Sequence, residues 1–235
     1  MPDAELCILS TRLLAQPLID KALAHGIRVD AVPFIDISFI EAEILQAQIQ
    51  SILTQSATVV FTSSNAVKSV ARFLNGTKPD WKIYCLSTAT KDSVVAAFGE
   101  QSIMATADDG TALAQLIIAN VSVDKVVFFC GNLRRNIIPD VLQQHGKSVT
   151  EILAYHTVAT PQNIHQTYNG VVFFSPSAVD SFFSVNIIPE ETICYAIGKT
   201  TADSIKKRVP QNPLQTSVTP SGEAITDLII NTLHA

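Results

Sequence analysis

The chain has 235 residues, of which 47% are apolar and 16% charged, with a formal charge of −5 at neutral pH. That balance predicts a well-packed globule and excludes a disordered chain, and the scatter of acids and bases, without any Lys/Arg block, excludes a nucleic-acid partner. No apolar run approaches the ~18 residues of a membrane span, and "MPDAELCILSTR" lacks the basic start and apolar stretch of a secretion signal, so the expected compartment is the cytoplasm.

Short β-rich runs alternate with amphipathic helical stretches from end to end. The chain opens on a strand over Leu6–Ser10, a helix over Leu18–His25 and a strand over Val29–Pro33. A helix over Glu41–Leu53, a strand over Thr58–Thr62, a helix over Ala66–Leu74 and a strand over Ile83–Leu86 follow. Next come a helix over Lys91–Phe98, a weak strand over Ser102–Ala105 and a helix over Thr111–Asn120. Strands over Val126–Cys130 and Val149–Leu153 flank a helix over Asp140–His145. The last third carries strands over Val171–Ser175 and Ile193–Ile197, a weak one over Leu214–Thr216, and a closing helix over Glu223–Leu233. Near-continuous apolar strands between helices predict parallel sheets covered on both faces. "AHG" at 24–26 and "QHG" at 144–146 predict helix ends, with His in the last turn and Gly as the cap. Pro33–Asp36 and Tyr155–Pro161 have the features of extended connections.

The chain also repeats itself. "TVVFTSSNAVKSV" resembles "GVVFFSPSAVDSF", "YCLSTATKDSV" resembles "YAIGKTTADSI", and "DDGTALAQLI" resembles "PSGEAITDLI". Earlier, "ILSTRLLAQPLIDKALAHGIRVDAVPF" resembles "FFCGNLRRNIIPDVLQQHGKSVTEILAY". Two copies of one α/β unit are expected, each with about five strands, the size of a flavodoxin-like domain. The repeat permits a linear division near residue 121 or a crossed one, in which the first half-unit joins the last.

Hydroxyl residues collect where strands give way to helices: Ser63–Ser64, Thr88–Thr90, Ser175–Ser177 and Lys199–Thr201. Any one of them is an ordinary helix cap. In a parallel α/β sheet, however, helix N-termini gather at the carboxyl ends of the strands, where ligands bind, and their free N–H groups face anions. Four such clusters in two related copies point to a site for an extended polyanion. Other motifs fail: "CYAIGKTT" lacks the first Gly of a phosphate loop, "CGNLRRN" is not a dinucleotide fingerprint, and no G-x-S-x-G elbow exists. The five histidines have no metal spacing. Cys7, Cys85, Cys130 and Cys194 lie in apolar runs and read as small buried hydrophobes. Asp108–Asp109 reads as a solvated helix start. What remains is cofactor-free chemistry, or binding alone.

In the strings "VVFTSSNAV", "FFCGNLRRNIIPDVLQQHG", "VTEILAYHTV", "VVFFSPSAV" and "AIGKTTADSI", in that order, the sequence resembles the uroporphyrinogen-III synthase family. The resemblance implies two flavodoxin-like lobes with parallel sheets, joined by a two-stranded β-ladder linker. It favours the crossed division, with one lobe of residues 1–34 and 159–235, the other of 37–156, and linkers at 34–37 and 156–159. The implied activity closes linear hydroxymethylbilane, with loss of water, into uroporphyrinogen III. The last pyrrole ring is inverted through a spiro intermediate, and no cofactor or metal takes part. Tyr155 matches the family's tyrosine at the ladder, which implies a donor to the departing hydroxyl. By the same matching Ser63, Thr90, Ser175, Ser177, Thr200 and Thr201 line the cleft, and the junction reading adds Ser64 and Thr88. Arg12, Arg134 and Lys199 would meet substrate carboxylates, because a net-negative protein must attract an octa-acid locally. Ser87 stands where the family usually carries Gly, as Gly198 does in the second copy. A monomer is expected, supplied by the upstream hydroxymethylbilane-producing enzyme. The alternative is a non-catalytic two-lobed tetrapyrrole binder or sensor.

Overall fold

The computed structural model describes residues 6–40, 42–74 and 76–234; the expected helix start at Glu41 lies outside them. The chain divides into two compact units, Met1–Asp36 with Val158–Ala235, and Ile37–Thr157. Several strand–helix junctions follow one local logic. An apolar run gives way to a small residue in extended conformation that caps the next helix: Ser63, Asp109, Ser175 and Ser221 do so with their side chains, Gly198 with its backbone alone.

The first unit carries strands β1 (Leu6–Ser10), β2 (Ile27–Ala31), β9 (Gly170–Phe173), β10 (Ile193–Ala196) and β11 (Leu214–Thr216). They form a sheet in the order β11-β10-β9-β1-β2, with every neighbouring pair parallel. Helices α7 (Pro176–Phe183) and α8 (Lys199–Arg208) contribute Val179, Phe182, Ala202 and Ile205 to one face, against Leu9, Val171, Phe173 and Cys194. Helices α1 (Gln16–Ala24) and α9 (Gly222–Leu233) contribute Ala22, Ile225, Ile229 and Ile230 to the other, against Ile8, Val172 and Tyr195. Consecutive residues of the interior strands β1, β9 and β10 thus feed opposite cores, which is why those strands are nearly all apolar, while the edge strands β2 and β11 carry Arg28, Asp30 and Gln215.

The second unit carries β3 (Ile35–Phe39), which begins just ahead of it, and β4 (Ala57–Phe61), β5 (Trp81–Leu86), β6 (Ile103–Ala107), β7 (Lys125–Gly131) and β8 (Ser148–Ala159), in the order β3-β8-β7-β4-β5-β6. Helices α2 (Ala42–Leu53), α3 (Ser64–Ala71) and α4 (Ala89–Phe98) cover one face; α5 (Gly110–Ala119) and α6 (Ile137–Gln144) cover the other. Phe61 at the end of β4 stacks on Phe129 of β7, ring centroids 5.4 Å apart, and each such pair adds about 0.5–1.5 kcal/mol beyond its buried area. That stack fixes the strand ends on which the site stands.

The two sheets are circular permutations of one plan. Strands β2-β1-β9-β10-β11 run 2-1-3-4-5, the flavodoxin-like order; β8-β7-β4-β5-β6 gives the same order when counting begins at β7. The internal repeat therefore matches β1–β2 with β7–β8 and β9–β11 with β4–β6, and each unit joins one half of either kind. His25 and His145 show the correspondence in detail. Both cap their helices with Nδ1 at 2.9 and 2.8 Å from the carbonyls of Lys21 and Val141, and both are followed by glycine at positive φ. β3 has no counterpart in the plan: its sequence "IDISF" alternates weakly, and the sequence pattern assigns part of it to a connection.

Candidate functional site

A doubly wound sheet leaves a crevice where its strand order reverses, at the carboxyl ends of the strands. In the second unit this switch lies between β4 and β7. Ser63 caps α3 there, its Oγ accepting from the N–H of Asn65 at 3.2 Å. Tyr155 reaches the same oxygen from β8, donating its hydroxyl to Ser63 Oγ at 2.9 Å. Two features give it that reach. The β7–β8 register runs Cys130 with Leu153 and then Gly131 with Tyr155, so Ala154 is an extra residue. That bulge turns Tyr155 toward the core that Ala154 already faces. Gly131 then leaves room for the ring, since a Cβ on it would sit 2.5 Å from Tyr155 Cζ. The bulge carbonyl of Ala154 takes a buried hydrogen bond from Ser69 Oγ at 2.6 Å. Asn132 ties down the far end of β8 through a reciprocal pair with the Thr157 backbone. Burial raises the pKa of Tyr155 and Ser63 partly offsets it, so the phenol is protonated at neutral pH.

The first unit has its switch between β1 and β9. Ser175 caps α7 by accepting from the N–H of Ala178 at 3.1 Å, and its Oγ lies 2.9 Å from that of Ser177. The Arg12 guanidinium lies 3.8 Å above the ring of Phe174, which packs toward α1 and α9, and its Nη2 would lie 3.8 Å from a Cβ on Gly222, so this cation–π contact holds the charge beside the start of α9. Phe34 occupies the position that Tyr155 has in the repeat. It is fully buried, bonded through its N–H to Thr11 O, and packed edge-on against Phe182. The two switches thus share a hydroxyl cap and differ in the aromatic residue beside it. Ser181 of α7, the counterpart of Ser69, is buried without a hydrogen-bond partner among the described residues. The carbonyl it would meet by analogy, that of Pro33, instead accepts from Thr160 and Gln162.

The remaining sequence-predicted residues fall into place unevenly. Ser64 opens α3 and is half-buried. Lys199 and Thr200 are exposed in the first turn of α8, whose cap is the extended Gly198, while Thr201 is buried. Thr90 is buried in the first turn of α4. Thr88 precedes that turn at φ 67°, ψ −131°, with no side-chain capping bond, and among the described residues no other non-glycine has positive φ. This is a costly conformation for a β-branched residue. Beside it Ser87 donates its hydroxyl to Asp108, and Asp109 caps α5 through the N–H groups of Thr111 and Ala112. Arg134 does not stand free: its Nε is paired with Glu151 on β8, which raises its pKa. Gly131, Ser69, Asn132 and Phe174 were missed by sequence reasoning. The one signal for them in the sequence is the glycine that ends an apolar strand, Gly131. Among the described residues no group of three His, Cys, Asp or Glu side chains could hold a metal ion, and no helix is long and apolar enough to cross a membrane.

A family profile described as uroporphyrinogen-III synthase HemD matches residues 16–229. Among solved structures, a mutant uroporphyrinogen III synthase from the extremely thermophilic bacterium Thermus thermophilus superposes with a TM-score of 0.71 at 11% identity, over 97% of this chain and 99% of that one. Uroporphyrinogen-III synthetase from Helicobacter pylori does so with a TM-score of 0.65 at 16% identity, over 97% and 99%. At such identities these two likenesses speak for the fold. No curated protein matches the chain in sequence. With the profile spanning most of its length, the chain belongs to the uroporphyrinogen-III synthase family, a family of hydro-lyases.

Proposed function

We propose that this chain converts hydroxymethylbilane, the substrate its family binds, into uroporphyrinogen III. The observation that carries the reading is the Tyr155–Ser63 hydroxyl pair, set at the switch point of a doubly wound sheet and directly on a helix start. A substrate with eight carboxylates calls for many anion contacts. Each unit offers its own: the starts of α3 and α4 with Ser63, Ser64, Thr88 and Thr90, and the starts of α7 and α8 with Ser175, Ser177, Lys199, Thr200 and Thr201. Backbone N–H groups and the positive end of the helix dipole attract carboxylates without a large cationic surface. Arg12, held over Phe174, adds a fixed charge. Arg134 contributes less than its sequence position implies, because Glu151 neutralises it.

The chemistry asks for a proton donor and for a fixed conformation. Loss of hydroxide from the hydroxymethyl end leaves an electrophilic azafulvenium, which the substituted carbon of the last ring attacks; the spiro species so formed breaks and recloses. Closure at the free carbon gives the uninverted isomer I without any enzyme. Holding one conformation is therefore the main task, an effect worth several kcal/mol, and a positioned acid adds ~10²–10⁴-fold. The reading takes the protein to act as a monomer in the cytoplasm, where its four free cysteines stay reduced, on substrate released by the preceding enzyme. Freshly made hydroxymethylbilane is supplied, the products are oxidised, and isomers I and III are resolved. The expected product is isomer III. Isomer I alone, at the spontaneous rate, would leave only binding.

A further inference from the structure

We infer that Ser63, not Tyr155, is the group that hands the proton to the departing hydroxyl, with Tyr155 behind it as the second member of a two-step relay. The inference rests on the proposed synthase reaction. A serine hydroxyl has one proton and two lone pairs. At Ser63 both lone pairs are taken, by the N–H of Asn65 at 3.2 Å and by the O–H of Tyr155 at 2.9 Å. The one valence left on Ser63 is its own proton, and the oxygen sits at a half-buried helix start. Tyr155, in turn, has its proton committed to Ser63, and its ring is held above Gly131 with no slack on that side. For Tyr155 to donate to a ligand directly, it would first have to break the bond the fold has built.

The proton balance closes. The C–O bond breaks and its electron pair leaves with oxygen. That oxygen takes the Ser63 proton to become water, and Ser63 takes the Tyr155 proton, leaving a phenolate. The substituted carbon carries no hydrogen; when the spiro species opens and recloses through the free carbon of the last ring, that carbon sheds its hydrogen as a proton, which restores the phenol. The net change is loss of one water. Water is a far weaker acid than a phenol, so a departing hydroxide takes the proton even though burial raises the pKa of Tyr155.

The first unit supplies an internal comparison. Ser175 caps α7 in the same way and has Ser177 beside it, but buried Phe34 stands where Tyr155 would be. The repeat keeps the binding geometry in both copies and the acid in one, which assigns proton delivery to the second unit and anchoring to the first.

The test is a double-mutant cycle on the rate of isomer III formation, with wild type, Tyr155→Phe, Ser63→Gly and the double variant. Glycine is a good helix cap, so Ser63→Gly removes the hydroxyl at a cost of a few tenths of a kcal/mol in stability; Ser63→Thr restores the hydroxyl. A relay in series predicts a loss of ~10²-fold or more for Ser63→Gly, a smaller loss for Tyr155→Phe, and a double variant within about two-fold of Ser63→Gly. Ser63→Thr recovers most of the rate. In mixtures of light and heavy water, the wild-type rate curves with two moving protons and that of Tyr155→Phe falls on a line. Losses that multiply, an unchanged Tyr155→Phe rate, or a straight wild-type plot would overturn the relay while leaving isomer III as the product. A wild type that yields isomer I alone would overturn the synthase reading itself.

Discussion

Gly131→Ala should disable the site without touching any group that contacts substrate. The added Cβ would lie 2.5 Å from Tyr155 Cζ and 2.8 Å from both Cε2 and Oη. Carbon atoms settle at about 3.5–4.0 Å, so the ring must recede by about 1 Å. The 2.9 Å bond to Ser63 then stretches past hydrogen-bonding range. A misplacement of that size costs up to ~10²-fold in rate, and overpacking costs ~1–3 kcal/mol in stability. Two measurements check this: the rate and isomer ratio of the product, and a urea melt. In a Tyr155→Ala background the clash is gone, so Gly131→Ala should add no further loss of stability there, while the rate stays low. A Gly131→Ala protein that forms isomer III at the wild-type rate would refute the placement of Tyr155.

Four further outcomes follow from the structure. Ser69→Ala, which strips the bulge carbonyl of its buried partner, should cost about 1–3 kcal/mol in a urea melt. Ser181→Ala, which removes an unpartnered hydroxyl, should be neutral or stabilising, and the reverse order would contradict the assignment. Thr88→Gly should raise the stability to unfolding by about 1–3 kcal/mol, because it relieves the positive φ; a lower stability would show that the conformation carries no strain. Burial lifts the Cys194 thiol from 9.0 to about 12. The folded state therefore holds that proton more tightly than the unfolded one. Its contribution is intact below pH 9 and is lost as pH rises toward 12, at up to about 1.4 kcal/mol per pH unit. Cys194→Val should flatten the alkaline limb of a stability–pH profile by that amount, and an unchanged slope would refute it.

Elements set by local chemistry were legible in the sequence. The strands β1 and β11 fall where apolar β-rich runs place them, and the histidine–glycine helix ends at 25–26 and 145–146 have the expected geometry. The hydroxyl caps Ser63 and Ser175 were legible for the same reason: a capping residue interacts with amides two or three positions away. What escaped depends on pairing across the chain. Glu151, which occupies Arg134, belongs to the next strand. The extra residue Ala154 exists only as a mismatch between two strands. Ser69 looks like any helical serine until β8 arrives beside it. The steric demand of Gly131 is likewise invisible without Tyr155 above it, and Thr88 carries no local mark of its backbone conformation.

The permuted plan has a consequence for biosynthesis. The unit spanning Ile37–Thr157 is one continuous stretch and can be completed on the ribosome before its neighbour. The other unit cannot: β1, an interior strand of its sheet, must wait for β9, with Ser10 pairing to Val172. At ~5–20 residues per second, that leaves the stub of β1, α1 and β2 with an open apolar edge for roughly ten seconds or more, the kind of edge that invites strand addition from other chains. Nascent chains arrested after Thr157 should therefore hold one finished unit and one sticky fragment, and it is the fragment that a chaperone would be called on to shield.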